Sequence, residues 1–520
     1  MDRKWWTLVA VCAGTFMLLL DVTIVIVAQP SIQTGLHATF SDVQWTLDAY
    51  ALTLAVLLLT SGSLADRYGR RLLFSIGLTI FTLGSLLCGL AVDPLMLILS
   101  RSGQGIGGAM MFATSLALLG NSFRGRERGV ALGVWGAIVG VSTALGPVLG
   151  GIITTDWNWR GIFLVNVPIG VFALAVTVWR VTESRSPQPT PPDWPGFALL
   201  TAGLVGLVYG LIRAGENSWS DTGVIVCLAA GAVLLAAFLV VEGRVEYPMF
   251  DLSLLRVPTF TGGSIAAFAM NGSLYAVLLY FVIYLQDVLG YSALGAGLRL
   301  AVISLAQLVT SVLAGRFSQR VPARWLIGPG LLLVGIGLIL TAGITGDSAW
   351  THLIPGFIVA GLGGGLVNPP LASTAIGVVP PHRAGMASGI NTTFRQVGVA
   401  TGIAALGSIF TSVIRSHLTS ALPPALAGSA AGIMNAVRQG SVGQLLASVP
   451  ADDRAAVASA LRSSFAAALN DLLYVTAGVA LVGAVGAALL IRGKDFHRPE
   501  SPETATAGTG AGQATTEAVG

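Results

Sequence analysis

Apolar residues run along this chain in stretches of about 20, broken by short polar links, and about 20 is the number an α-helix needs to cross some 30 Å of hydrocarbon. The pattern predicts fourteen spans, near 6–28, 43–64, 72–91, 95–119, 129–153, 159–180, 194–213, 221–241, 259–286, 292–315, 325–345, 351–374, 384–412 and 465–491. An even number of crossings returns both ends to one side. Internal echoes divide the spans into two related sets. Leu64 to Arg71, between spans 2 and 3, shares Leu, Ala, Arg and a final Arg with Leu313 to Arg320, between spans 10 and 11. Gly105 to Ala109 in span 4 is echoed by Gly361 to Gly365 in span 12, and the entry to span 5 from Arg128 by the entry to span 13 from Arg383.

The architecture expected is an all-α polytopic membrane protein: two pseudo-symmetric six-helix bundles with two additional helices between them. The expected units are an N-terminal bundle at 1–185, a linker with two helices at 186–258, and a C-terminal bundle at 259–492 with a long outer loop at about 413–464. The segment 493–520 is expected to be a disordered cytoplasmic tail, since Ser501 to Gly520 hold almost no large apolar residue. The prolines between Glu183 and Pro195 read as a stiff linker. Membrane proteins built from repeated halves bind solutes near the midplane and rock one half against the other.

Composition supports this and narrows it. Of 520 residues, 54% are hydrophobic and 10% charged, far from the roughly 25% charge of soluble domains. The net charge of +4 comes from arginines gathered in alternate links, which is a topology signal and names no nucleic-acid partner. Arg67, Arg70 and Arg71 follow span 2, while the links after spans 1, 3, 9 and 11 hold no Lys or Arg. The positive-inside bias therefore predicts cytoplasmic termini, and the high Ala, Gly and Arg content with only two lysines points to a bacterial plasma membrane. Cys12, Cys88 and Cys227 lie in apolar runs without metal or disulfide spacing. No phosphate-binding loop and no zinc pattern appears, so enzyme chemistry, an ATP-driven pump, cofactors and metals are not expected.

Ionisable side chains inside spans cost about 2.5 to 3.5 kcal/mol each and need a reason. Asp21, Asp48 and Arg101 stand at similar depth, roughly 8 to 11 Å from the outer boundary, and are expected to form one charged cluster. One arginine cannot fully compensate two carboxylates, so one of them is free to load and release a proton, Asp21 first and Asp48 second, or to meet a cationic solute. The bland reading is an ion pair that staples helices 1, 2 and 4. Arg299 and Arg395 in the second half face the cavity or merely donate to backbone carbonyls. Trp45, Tyr50, Met110, Phe112, Trp135 and Tyr275 supply candidate stacking surfaces, and Asn271 and Asn391 candidate amide contacts. Gly140, Gly146, Pro147, Gly150 and Gly151 make span 5 a close-packing, compliant contact between halves.

These residues resemble the major facilitator superfamily, in particular its fourteen-helix drug:proton antiporter-2 group. The resemblance rests on Leu20 to Val25, Gly62 to Arg71, Arg101 to Gly108, Gly146-Pro147 with Gly150-Gly151, and Trp159 to Gly170. It implies that Gly62, Asp66, Arg67, Gly69, Arg70 and Arg71, with Arg128 in the next basic link, form a conformational latch. It also implies that the span 1 aspartate and span 4 arginine take part in proton coupling. Gln29 before Pro30, and Asp48, depart from the group's usual pattern. The function expected is proton-coupled export of small lipophilic or cationic drugs, antibiotics or dyes by a monomer in contact with membrane lipids. The alternatives are transport of another solute, such as an amino acid, siderophore or lipid, and a scaffold or receptor that moves nothing.

Overall fold

The computed structural model describes residues 2–123, 125–185, 191–317, 321–379, 384–422, 430–438, 445 and 449–496. The tail expected at 493–520 is described only to residue 496, where Gly493–Asp495 form an ordered 3-10 turn and the Thr259 hydroxyl donates to Asp495 at 2.7 Å; its remainder, parts of the linker and long loop, and the side chain of Arg128 lie outside the described residues.

The first six long helices are α1 (Arg3–Leu36), α2 (Phe40–Tyr68), α3 (Arg70–Gly89), α4 (Pro94–Ser122), α5 (Gly125–Asp156) and α6 (Gly161–Arg180). Two more follow, α7 (Trp194–Glu216) and α8 (Thr222–Glu242). The last six are α9 (Pro258–Val288), α10 (Ala293–Phe317), α11 (Arg324–Thr341), α12 (Trp350–Gly377), α13 (Ala384–Ala421) and α14 (Ala451–Leu490). Among the described residues 13 helices are long and apolar enough to cross a membrane. Helix α4 supplies the fourteenth crossing: it has 29 residues and packs between α2 and α3, but Arg101, Gln104 and its glycines make it less apolar than its neighbours.

Helix starts are set by local chemistry. Thr39 and Asp42 form a reciprocal capping box on α2, while Asp93 followed by Pro94 starts α4 and Asp193 starts α7. The basic stretch 62–71, which reads as a link, is almost entirely helical. Only Gly69, at φ +125°, separates α2 from α3, and a Cβ there would sit 2.6 Å from the Glu183 carboxyl carbon. The long loop expected at 413–464 is also largely helix. Helix α13 runs on to Ala421, a short helix covers Ala430–Arg438, and α14 begins at Ala451. Leu418, Leu422, Ile433, Val457 and Leu461 form a small apolar cluster there, which gives these Ala-rich extensions a core of their own.

Within the first six helices α4 packs on α2 and α3, and α1 on α5 and α6; within the last six α12 packs on α10 and α11, and α14 on α9, α11 and α13. Helices α7 and α8 pair with each other, and α7 lies against α13 and α2. The two halves meet along two seams, α2 with α13 and α5 with α10.

Candidate functional site

The seams are built from glycine and from polar side chains that bond to the opposite backbone. On the α2–α13 seam the Gln44 amide donates to the Ile403 carbonyl at 3.1 Å and the Thr393 hydroxyl to the Ala55 carbonyl at 3.1 Å. A Cβ on Gly389 would lie 2.7 Å from Leu59. On the α5–α10 seam a Cβ on Gly151 would lie 2.6 Å from the Leu294 Cα, one on Gly297 would run into the Pro147 carbonyl, and one on Gly140 would lie 3.0 Å from Leu308. Gly136 and Gly133 continue the same face of α5, yet a Cβ on either meets nothing within 4 Å. The α5–α10 contact therefore holds near Gly151 and opens toward the end that carries the basic stretch 62–71.

The opposite end is sealed. Phe40 stacks on Phe410 at 5.7 Å, Tyr280 lies 5.2 Å from Phe410, and the Gln286 amide of α9 donates to the Val27 carbonyl of α1 at 2.8 Å. Gly146 and Gly150, by contrast, pack α5 on Thr23 and Ile24 of α1, inside the first half. The small residues of α5 thus serve two contacts, only one of which joins the halves.

Between the halves lies a narrow cleft lined by α1, α5, α9 and α10 side chains including Thr23, Pro147, Tyr275, Leu300 and Gln307. Of the residues named from sequence as cavity contacts, Tyr275 lines it. A π-helical turn at Asn271–Tyr275 precedes that side chain, and such turns concentrate at functional sites. The Tyr275 hydroxyl accepts from the Gln307 amide at 2.7 Å and from the Asn368 amide at 3.4 Å. Arg395 donates to the carbonyl oxygens of Asn368 and Asn391, each at 3.4 Å.

The remaining candidates lie elsewhere. Trp45 faces Tyr209 of α7 at 6.3 Å, Met110 abuts Gly77 of α3, and Phe112 packs in the first half's core. The Trp135 indole donates to the Thr15 hydroxyl at 3.0 Å, and the Asn271 amide turns back to the Ala267 carbonyl at 2.8 Å. Arg299 lies over the Tyr291 and Trp350 rings at 3.4 and 4.8 Å, at the sealed end of α10.

The expected three-member charged cluster contains two of its members. Arg101, 1% exposed, donates to Asp21, 0% exposed, at 2.5 Å. Asp21 also accepts from Gln104 at 3.3 Å and Asn166 at 3.2 Å, and Arg101 donates to Gln104 at 2.8 Å and to the Thr46 carbonyl at 3.1 Å. The guanidinium rests 4.4 Å from the centre of the Tyr50 ring. This is a buried pair whose lone pairs are filled by amides, the arrangement that lets a buried salt bridge persist.

Asp48 is not part of it, and helical phase is the reason. Thr46 and Tyr50 face α4, and Asp48, two residues from each, is rotated about 200° away. It falls instead on the stripe Gln44, Asp48, Ala55 and Leu59 that meets α13. Asp48 is 0% exposed, and neither carboxyl oxygen has a hydrogen-bond partner among the described residues. Tyr280 of α9, in the other half, lies within its electrostatic reach.

The chain's sequence and fold have known counterparts. The family model described as Major Facilitator Superfamily matches residues 11–403. The chain belongs to the major facilitator superfamily. It is a multi-pass membrane transporter, not an enzyme, and its relatives are drug and antibiotic efflux proteins of the fourteen-helix group. Multidrug resistance protein Stp of Mycobacterium tuberculosis is 36% identical over 413 residues, covering 79% of this chain and 77% of that one. Puromycin resistance protein pur8 of Streptomyces alboniger is 35% identical, covering 80% and 84%. Cephamycin export protein CmcT of Amycolatopsis lactamdurans is 38% identical, covering 77% and 83%. The solved structure of a bacterial homolog to the human lysosomal transporter Spinster superposes with a TM-score of 0.61 at 19% identity, covering 96% and 99%, a likeness of fold alone.

In the transporter, the stretch named from sequence as a latch is tied down within the first half. Asp66 and Arg70 form an ion pair at 2.8 Å, Arg67 lies near the Tyr68 ring at 5.7 Å, and a Cβ on Gly62 would meet nothing within 4 Å. Arg71 donates to the Val178 carbonyl at 2.5 Å. The carboxylate of Glu183 accepts from the backbone N–H groups of Arg71 at 3.0 Å and Leu72 at 3.1 Å, capping α3 from the end of α6. Sequence reasoning missed Glu183, and also Gln104, Asn166, Gln307 and Asn368. The last four carried a signal: each is an amide inside an apolar span, the property that singled out Asn271 and Asn391.

Proposed function

We propose that this transporter exports small lipophilic compounds, drugs or antibiotics among them, in exchange for protons by alternating access. The observation that carries the proposal is the burial of Asp48 without a partner on the seam between the halves. An uncompensated buried carboxylate costs several kcal/mol, whereas the neutral acid does not. Sealing the end opposite the basic stretch therefore proceeds with Asp48 protonated, and parting α2 from α13 gives that carboxyl to water on the same side. Each cycle through the sealed state then takes one proton from that side. Asp21, paired with Arg101 in this conformation, is the second coupling residue.

The arginine-rich links orient the open end and both termini toward the cytoplasm of a bacterial plasma membrane. The proton gradient is the energy source, with no cofactor, and one chain forms a complete pair of halves, so a monomer suffices. The functions named for the relatives, resistance to puromycin and export of cephamycin, favour export over uptake. Protein reconstituted in vesicles is to be given a lipophilic dye under an imposed pH gradient. Gradient-dependent dye movement that a protonophore abolishes is the expected result, and no movement under any gradient would sink the proposal.

A further inference from the structure

The two halves treat their buried arginines differently. Arg101 is neutralised by Asp21. Arg395 has no carboxylate within 4.0 Å among the described residues, and its hydrogen bonds go to two neutral amides. The amide oxygens of Asn368 and Asn391 are thereby used as acceptors. The lone pairs of the Tyr275 hydroxyl are used in turn by the amides of Gln307 and Asn368. What this network has left to offer is donors: the Tyr275 O–H at the cleft wall and, behind it through Asn368, the remaining guanidinium N–H groups of Arg395 with one unit of positive charge.

Among the described residues no carboxylate answers that charge from the surrounding helices. Asp21 of α1 is occupied by Arg101, Asp48 of α2 is shut into the α13 seam, and Asp287 of α9 is an exposed residue at the sealed end. The walls beside Tyr275 are mostly apolar, with Ile26, Leu274, Leu278 and Leu300 around the cleft and Thr23, Thr143 and Ser304 among them. A donor-rich, singly positive edge beside a mostly apolar cleft matches a solute with an anionic acceptor head and a lipophilic body.

We infer that the transported solute is an amphipathic anion, its carboxylate or phenolate received by Arg395 and Tyr275 and its apolar body held between α1, α5, α9 and α10. This rests on the export reading and names its substrate class, reversing the cationic preference drawn from the aspartates. Fluorescein and rhodamine 6G share one flat tricyclic core and carry opposite charges, so equilibrium fluorescence anisotropy with the purified full-length protein separates the two signs. Fluorescein is expected to bind the more tightly. Arg395→Gln is expected to weaken it about tenfold or more, the scale of a charge-assisted hydrogen bond, while Arg395→Lys retains most of the affinity. Tyr275→Phe is expected to weaken it by a smaller factor, and rhodamine 6G binding to be unchanged in all three variants. Tighter binding of rhodamine 6G, binding of neither dye, or fluorescein affinity unmoved by Arg395→Gln overturns the assignment. The two readings fail separately: gradient-driven rhodamine 6G transport indifferent to Arg395→Gln removes the anion site and leaves export standing. Arg395-dependent fluorescein binding without gradient-driven movement of either dye keeps the site and removes export.

Discussion

Asp48→Asn isolates the step on which the proposed proton coupling turns. In the sealed conformation the Asp48 carboxyl is 0% exposed with both oxygens unpartnered. Leaving an uncompensated charge buried costs about 3–5 kcal/mol, which at 1.4 kcal/mol per decade disfavours sealing by about 100- to 4,000-fold. The sealed state holds one proton more than the opened state in which Asp48 has ionised, so its population falls as pH rises. Asparagine is close in shape and cannot ionise, and it removes that dependence. Spin labels at Thr34→Cys and Ala349→Cys, on exposed positions of the two halves at the sealed end, report the opening by electron-electron distance measurement, with the three native cysteines replaced. The unmodified background is expected to shift from short to long distances as pH rises. Asp48→Asn is expected to stay short throughout. An identical pH response in the two would refute the reasoning, because the proton would then act elsewhere.

Three further outcomes follow from the geometry. Asp21→Asn leaves Arg101 buried without a counter-charge and is expected to lower stability by about 3–5 kcal/mol, read as a fall in melting temperature in detergent, with Asp21→Leu plus Arg101→Met recovering most of it. An unchanged melting temperature for Asp21→Asn contradicts the pairing. Gly297→Val drives a side chain into the Pro147 carbonyl and should wedge α10 from α5, so that the same spin labels report a longer distance at every pH while expression persists. Glu183→Ala removes the carboxylate that caps α3 and should cost about 1 kcal/mol, seen as faster hydrogen exchange at Arg71 and Leu72 but not at mid-helix. Uniform exchange along α3 would contradict the capping role.

The fold was legible because a bilayer imposes one length on every crossing, and twenty-residue apolar runs can be counted. The same criterion blurred at Gly62 to Arg71, where arginines read as a loop although the backbone stays helical on both sides of Gly69. It blurred again at 413–464, where Ala-rich segments extend membrane helices beyond the bilayer. The site was half legible. Depth along a helix identified Asp21, Asp48 and Arg101 as residues needing a reason, but depth carries no azimuth, and azimuth is what turns Asp48 from Arg101 toward α13. Tyr275 and Arg395 were named individually. That they share a network depends on the π-helical turn in α9 and on Asn368 of α12, a packing relation between distant helices that no spacing encodes.

The most direct test of proton-coupled exchange is a proton count. With protein reconstituted in lightly buffered vesicles at uniform pH and a transported solute added on one side, a pH electrode follows the exchange. Proton-coupled exchange predicts that solute entry releases protons from the vesicle interior, that a solute gradient alone builds a pH difference, and that Asp48→Asn, which stays sealed at that end, builds none. Solute flux in the unmodified protein with no accompanying pH change would contradict it.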